Sequence, residues 1–248
     1  ALPRGGRGER TAMERPLEPL LQHAEAGDLD AIRALDEAEL PKRMRKRDED
    51  GRTALHRACA AGHREVVEYL LSKKGDPNVE DEEGWAPLHS CASRGDAPLV
   101  CALLGAEVDA NASTSSGATS LHFAASKGHA EVLQLLLHAG AKRNLRDKHG
   151  GTPLLRACSS GREQAVKILL EAKADVTVKD KAGENALHIA INGQHIAVCE
   201  ALMGRDEAED MMKEDNTDGK CPAQLLLDLQ PMEVRDTIRS VWRATHGG

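Results

Sequence analysis

The sequence predicts an all-α solenoid of about seven helix–turn–helix units connected by β-hairpin loops. Glycine recurs every 33 residues along most of the chain, at Gly51, Gly84, Gly117, Gly150 and Gly183. Between these glycines, apolar residues fall at helical spacing, as in EVVEYLL, EVLQLLL and QAVKILL. Only 2% of the residues are aromatic, so the core must consist of small aliphatic side chains, which suit closely stacked helices.

The units between these glycines keep the same residues in the same register. A leucine follows each glycine by four positions, and in most units a histidine comes next. These positions hold Leu55–His56, Leu88–His89, Leu121–His122, Leu154–Leu155 and Leu187–His188. The segments GRTALHRACAAGH, GWAPLHSCASRGD, GATSLHFAASKGH, GGTPLLRACSSGR and GENALHIAINGQH resemble the ankyrin repeat, whose signature is T-P-L-H-x-A. This resemblance covers about residues 17 to 230 and implies a fold stabilised by the stacking of neighbouring units.

The recurring positions of each unit have physical roles. Asp and Gly before the Thr position shape a tight turn, Thr caps the first helix, and Pro is tolerated at the first helical position. The turn after the second helix favours glycine because it needs a positive φ. Gly140 occupies this position in one unit, whereas Lys74, Glu107 and Lys173 replace it in others.

The predicted organisation begins with a flexible leader at residues 1–16. The ankyrin repeat domain then spans residues 17–230, with a degenerate first repeat at 17–47, five regular repeats at 48–215 and a capping repeat at 216–230. Degenerate ends are expected because terminal repeats must present a polar outer face. An insertion within GRDEAEDMMKEDNTDG predicts a longer loop before the cap. Apolar residues near helical spacing in residues 231–248 predict an amphipathic C-terminal helix and tail.

Histidine and cysteine are abundant enough to suggest a metal or catalytic site, but most of them occupy scaffold positions. His89 is the repeat histidine, and Cys91 lies in a small-residue position of the first helix. No two of the 6 cysteines are separated by two residues, so no zinc knuckle is visible. They are read as reduced thiols of a cytoplasmic protein that can also be nuclear. We therefore expect no catalytic residues, no metal and no cofactor.

Composition argues against several other classes. The net charge of −7 does not suit nucleic-acid binding, because a phosphate backbone needs a basic face. No apolar run reaches the roughly 18 residues that a membrane span requires. The opening ALPRGGRGERTA lacks the apolar segment of a signal peptide. Native translation is expected to begin at Met13, with an Arg-rich transit peptide as the weaker alternative.

The hairpin tips are expected to line a concave face, and their charge changes sign along the chain. The early tips carry Glu49, Asp50, Glu80, Glu82 and Glu83 with Arg52, and the late tips carry Arg146, Lys148, His149, Lys179 and Lys181. Trp85 occupies a slot that holds Arg52, Ala118, Gly151 and Glu184 in the other units. A tryptophan there is a candidate binding anchor. This polarity predicts a protein partner of matching polarity.

Several stretches are more specific than the repeat signature. GRTALHRACAAGHREVVEYLL, DEEGWAPLHSCASRGD, LHFAASKGH and EAKADVTVKDKAGENALHIA resemble the gankyrin family of proteasome regulatory-particle assembly chaperones. The resemblance implies a concave face that grips the C-terminal domain of one proteasomal ATPase subunit through complementary charges. Asp50, Arg52, Glu82, Trp85 and Lys127 match contact-bearing positions of that family. The L-x-C-x-E motif of some members is absent, since residues 189–193 read IAING.

The resulting hypothesis is a non-catalytic, monomeric scaffold that binds a protein partner and neither nucleic acid nor membrane. The expected partner-binding residues are Glu49, Asp50, Arg52, Glu82, Glu83, Trp85, Arg94, Lys127, Lys148, His149 and Lys181. The first function is a proteasome assembly chaperone. The alternative is an ankyrin adaptor or inhibitor of another target, such as a kinase or a transcription factor. An enzyme is the weakest reading, because no nucleophile–base pair stands outside the scaffold positions.

Overall fold

The computed structural model describes residues 18–246. Over this range the predicted all-α solenoid is confirmed, with sixteen helices that form a line of stacked pairs. The predicted leader at residues 1–16 and the proposed start at Met13 lie outside the described residues. The predicted hairpin loops are tight turns, and the one isolated β-bridge found between residues 18 and 246 joins Ser113 to Thr119.

The helices follow the repeat register. The N-terminal unit contains α1 (Pro19–Ala26), α2 (Leu29–Arg33) and α3 (Leu40–Met44). The next three units contain α4 (Ala54–Ala61) with α5 (Arg64–Ser72), α6 (Pro87–Arg94) with α7 (Ala97–Leu104), and α8 (Ser120–Lys127) with α9 (Ala130–His138). Two further units contain α10 (Pro153–Ser159) with α11 (Glu163–Glu171), and α12 (Ala186–Asn192) with α13 (Ile196–Met203). The C-terminal part contains α14 (Ala208–Lys213), α15 (Pro222–Asp228) and α16 (Met232–His246).

Two layers of helices result from this register. The first helices of the units, α1, α4, α6, α8, α10, α12 and α15, pack side by side in one layer. The second helices α5, α7, α9, α11, α13 and α16 form the other layer. The apolar core is therefore a strip between the layers, and each unit completes the core of its neighbour.

The repeat histidine both caps its helix and joins two units. In α4, the backbone N–H of Thr53 donates to His56 Nδ1 at 3.2 Å. The Nε2 atom must then carry the proton, and it donates to the carbonyl of Trp85 in the next unit at 2.9 Å. His122 and His188 make equivalent bonds to the last residue of the following tip. His89 Nε2 bonds instead to the carbonyl of Ala112, just before the third tip, at 2.9 Å. The structural role expected for His89 is thus confirmed.

Small buried side chains fill the core. Cys59, Cys91 and Cys158 are fully buried in the first-helix layer, as predicted from their positions in the repeat. Burial raises the pKa of the Cys158 thiol, and it raises the pKa of Cys199 to about 12. The thiols of Cys158 and Cys199 are therefore protonated near neutral pH and act as small apolar groups.

The turn after the second helix adopts the left-handed conformation in every unit where the sequence suggested it. Gly140 has a φ of 84°, and the residues at the same position in other units have φ values of 63° at Lys74, 58° at Glu107 and 59° at Lys173. Three residues that carry a side chain thus adopt a left-handed backbone conformation, which glycine adopts without steric cost.

The acidic insertion near the C-terminal end differs from the prediction. The expected long loop is wrong, because Ala208–Lys213 forms helix α14. Ala208, Met211 and Met212 are buried, and the Asn185 side-chain amide donates to the Met211 carbonyl at 2.9 Å. The few apolar residues of this helix lie among charged residues in the sequence, so they form no clear helical pattern. The last described helix is α16, which buries Ile238 against α13 and α15.

Candidate protein-binding face

Six hairpin tips lie in a row along one edge of the described stack. Each tip closes with a backbone hydrogen bond, such as that from Asp81 N–H to the Trp85 carbonyl at 2.9 Å. Each of the five later tips also donates one N–H to the preceding tip, as from Glu82 to the Asp50 carbonyl at 3.0 Å. The tips are residues 48–52, 81–85, 114–118, 147–151, 180–184 and 216–220. We call these tips, together with the exposed side of the first-helix layer, the concave face.

The early tips place their acidic side chains in solvent. Glu49, Asp50, Glu82 and Glu83 are all exposed. Arg52, the base among them, contacts Asp50 Oδ2 at 3.3 Å and Asp81 Oδ2 at 3.5 Å. The positive charge of Arg52 therefore offsets part of the negative charge of the acidic cluster. This end of the concave face stays negatively charged.

The late tips present fewer free bases than the sequence suggested. Lys148, His149 and Lys181 are exposed. Arg146 is exposed as well; its guanidinium donates to the Gly150 carbonyl at 3.2 Å and to the Lys179 carbonyl, and these neutral acceptors leave its positive charge in place. Lys179 pairs with Glu214 at 3.1 Å. The predicted basic end is thus carried by Arg146, Lys148, His149 and Lys181, whereas Lys179 is paired with an acid.

Trp85 is the last residue of the second, acidic tip and belongs to an aromatic group that extends into the third unit. Its ring centroid is 4.6 Å from that of Phe123 and 5.9 Å from that of His89. Both Trp85 and Phe123 are half-buried. The sequence singled out Trp85 but missed Phe123, which belongs to the next unit. The aromatic content alone could have signalled it, because Phe123 is the one phenylalanine in the chain.

Arg94 and Lys127 occupy the same repeat position in consecutive units, at the C-terminal ends of α6 and α8. Both are exposed. Arg94 Nη1 donates to the Ala60 carbonyl of the preceding unit at 2.9 Å. The structure therefore places these bases on the first-helix side of the concave face, and Arg94 also links two units.

Two ion pairs connect tips to the first helices of their units. No sequence pattern predicts them. Arg57 Nε and Nη2 lie 2.8 and 2.6 Å from Asp48 Oδ2, and Arg156 Nε lies 2.7 Å from Asp147 Oδ2. Burial raises the pKa of each carboxyl group, but the guanidinium and the turn N–H groups outweigh it, so the pKa of Asp48 and of Asp147 lies below its usual value. These arginines hold the tips in place.

Several cavities adjoin the stack, among them one beside the N-terminal unit and one on the concave face. The larger, of about 600 Å³, lies between α3 and the α4–α5 pair and is lined by Met44, Leu55 and Leu70 among others. It contains none of the predicted partner-binding residues. A second, of about 350 Å³, opens on the concave face between α10 and α12. Its lining includes His149, so this cavity belongs to the predicted site.

These features define a protein-binding repeat scaffold. The family model for ankyrin repeats matches three times, at residues 8–81, 88–180 and 121–215. The chain belongs to the ankyrin repeat family. A comparison with curated proteins finds no significant match. Between residues 18 and 246, no helix is long and apolar enough to cross a membrane.

Proposed function

We propose that this protein is an assembly chaperone of the proteasome regulatory particle, which holds the C-terminal domain of one proteasomal ATPase subunit on its concave face. It acts as a monomer in the cytoplasm and the nucleus, without a catalytic step, a cofactor, a nucleic acid or a membrane. The observation that carries the proposal is the arrangement of acidic tips, a half-buried tryptophan and basic tips along one face.

Charge supports a partner of matching polarity. The acidic end contains Glu49, Asp50, Glu82 and Glu83, and the basic end contains Lys148, His149 and Lys181, all exposed. Complementary charges speed the encounter and fix the register of a complex, and an aromatic anchor contributes most of the affinity. Arg52, Arg94 and Lys127 supply further polar contacts around Trp85.

The backbone of the face supports recognition of a preformed surface. Single N–H to carbonyl bonds join consecutive tips over the whole row, and Arg57 and Arg156 fix two of the tips to their helices. Little conformational entropy is lost when such a face binds. A folded domain suits this face better than an unstructured peptide, because both surfaces are then preorganised.

The experiment is a binding measurement against each isolated proteasomal ATPase C-terminal domain, at low and high salt. We expect one domain to bind, with an association rate that falls as salt rises. Equal binding to all domains, or binding to none, would exclude the chaperone function. In the second case, affinity purification from an extract would identify a kinase, transcription factor or other target of an adaptor.

A further inference from the structure

The first residue of most tips is an aspartate that caps its own turn. Asp48, Asp81, Asp147 and Asp180 occupy equivalent positions. The Oδ1 atom of Asp180 accepts the backbone N–H groups of Ala182 at 2.8 Å and Glu184 at 3.0 Å. The other carboxylate oxygen, Oδ2, is then left for a second interaction.

In three of these four described tips, Oδ2 contacts an arginine guanidinium. Asp48 contacts Arg57, and Asp147 contacts Arg156, in each case from the first helix of the same unit. Asp81 contacts Arg52 of the preceding tip at 3.5 Å. The repeat therefore has two positions from which an arginine can reach this oxygen.

Asp180 is the exception. The position of Arg57 and Arg156 is occupied by Ile189 in its unit, and the position of Arg52 is occupied by Gly151 in the preceding tip. No lysine or arginine of residues 18–246 forms an ion pair with Asp180 or with the neighbouring Glu184. Lys179 and Lys181 flank Asp180 in sequence, but Lys179 pairs with Glu214 and the side chain of Lys181 is exposed to solvent.

The space that an arginine would fill is open. The cavity of about 350 Å³ between α10 and α12 is lined by Asp180, Glu184, Ile189, Leu155 and Arg156 among others. Glu184 Oε1 accepts from the Asn192 amide at 2.9 Å. Burial and then the charge of Asp180 raise the pKa of Glu184. The cavity thus combines two uncompensated carboxyl groups with apolar side chains.

We propose that this cavity binds an arginine side chain of the protein partner, with its guanidinium on Asp180 and Glu184 and its methylene stem against Ile189 and Leu155. The incoming group takes the place that Arg57 and Arg156 have on Asp48 and Asp147. Arginine fits better than lysine because a planar guanidinium can contact both carboxylates at once. Arg156 on the opposite wall is neutralised by Asp147, so it does not oppose the cation.

The inference rests on the proposed function in one respect, because the cavity lies on the proposed partner-binding face. The exposed bases around it, Lys148, His149 and Lys181, favour acidic neighbours in the partner. The partner segment is therefore an acidic surface with one protruding arginine. Such a mixed pattern helps to fix the register of the complex, because the equivalent carboxylate of the preceding tip, Asp147, is already paired with Arg156.

The test uses the full chain and two small probes, N-acetyl-arginine methylamide and its lysine analogue, with binding followed by NMR at the carboxyl carbons. We expect the arginine probe to shift the Asp180 and Glu184 signals and to bind about tenfold more tightly than the lysine probe. Equal affinities, or shifts spread over other carboxyl groups, would overturn the proposal.

Two variants and a control complete the test. Asp180→Asn keeps the turn, because Asn216 caps the last tip through its Oδ1 atom in the same way, and it should abolish the shifts. Ile189→Arg should supply the missing guanidinium from within the chain, lower the pKa of Glu184 and exclude the probe. The control Asp175→Asn lies outside the cavity and should bind the probe normally. Unchanged binding in both cavity variants would contradict the assignment.

The outcome can be separated from that of the proposed function. Arginine binding in this cavity, without binding of any ATPase domain, would leave the cavity assigned and exclude the chaperone function. If an ATPase domain binds, and Asp180→Asn and Ile189→Arg leave its affinity unchanged, the chaperone function would stand and the arginine site in the cavity would be excluded.

Discussion

The indole ring of Trp85 packs on the phenyl ring of Phe123, with planes inclined by 35°. Trp85 belongs to the second tip, whereas Phe123 lies in α8 of the following unit. Their contact therefore joins two neighbouring repeats. It lies on the face to which the partner is proposed to bind. One aromatic pair thus contributes to the stability of the stack and to the shape of the binding face.

The two rings should be energetically coupled. Trp85→Ala and Phe123→Ala should each lower the free energy of unfolding, and the double variant should lose less than the two single losses together. The expected coupling is about 0.5–1.5 kcal/mol, the usual size for an aromatic pair. Urea unfolding of the four proteins measures it. Ser90→Ala, at the position equivalent to Phe123 in the second unit, is the control and should be near neutral; strict additivity at Trp85 and Phe123 would contradict the coupling.

Charge and the tryptophan should affect binding kinetics differently. The double change Glu82→Lys and Glu83→Lys should slow association with the ATPase domain and weaken its salt dependence, because exposed charges act mainly during encounter. Trp85→Ala should instead raise the dissociation rate, with a total loss of about 2 kcal/mol, or thirtyfold in Kd. Surface plasmon resonance at two salt concentrations separates the effects.

The control for the charge reversal is Glu131→Lys, an exposed acid in the first turn of the second-layer helix α9. It should leave both rates nearly unchanged. An equal effect of Glu131→Lys would mean that net charge, rather than the acidic tips, determines association.

Stability should fall as the solution becomes mildly acidic. Burial lowers the pKa of His56, His89 and His122, so these rings bind protons more readily in the unfolded chain. Their contribution is fully present above the unfolded pKa of about 6.5 and is lost as the pH falls through the folded pKa. Each histidine can change the free energy of unfolding by up to about 1.4 kcal/mol per pH unit between those two values.

The variant His122→Leu isolates this effect, because Leu155 occupies the same position in the next unit. Its free energy of unfolding should depend less steeply on pH than that of the parent protein between about pH 6.5 and 5. Denaturant titrations at several pH values provide the measurement. Identical slopes for variant and parent would show that His122 is not the group that titrates.

The left-handed turns should respond to glycine in a predictable direction. Lys173→Gly should raise the free energy of unfolding by up to about 1 kcal/mol, because glycine adopts a positive φ without strain. The reverse change Gly140→Lys should lower it by a similar amount. A Cβ atom at Gly140 would meet no atom within 4 Å, so its cost reports backbone strain alone. Thermal unfolding measures both, and a loss of stability in Lys173→Gly would contradict the prediction.

The stack could be predicted from the sequence because each repeat position meets the same neighbours in every unit. The buried cysteines and the bridging histidines follow directly from that register. The contacts of the binding face do not follow from it. Its positions vary from unit to unit, so no pattern links Trp85 to Phe123, and only packing shows that Arg57 turns back to Asp48. Helix α14 was missed because its few apolar residues lie within a charged segment.

Three of the 6 methionines lie where the repeat register breaks. Met203, Met211 and Met212 are buried around the insertion, whereas the interior units are packed with branched or very small side chains. Thioether side chains adapt to irregular spaces, so this junction can accommodate a change in chain length that the interior repeats cannot. Insertions and deletions should therefore accumulate between α13 and α15 as the protein evolves, while the tips on the N-terminal side keep their spacing.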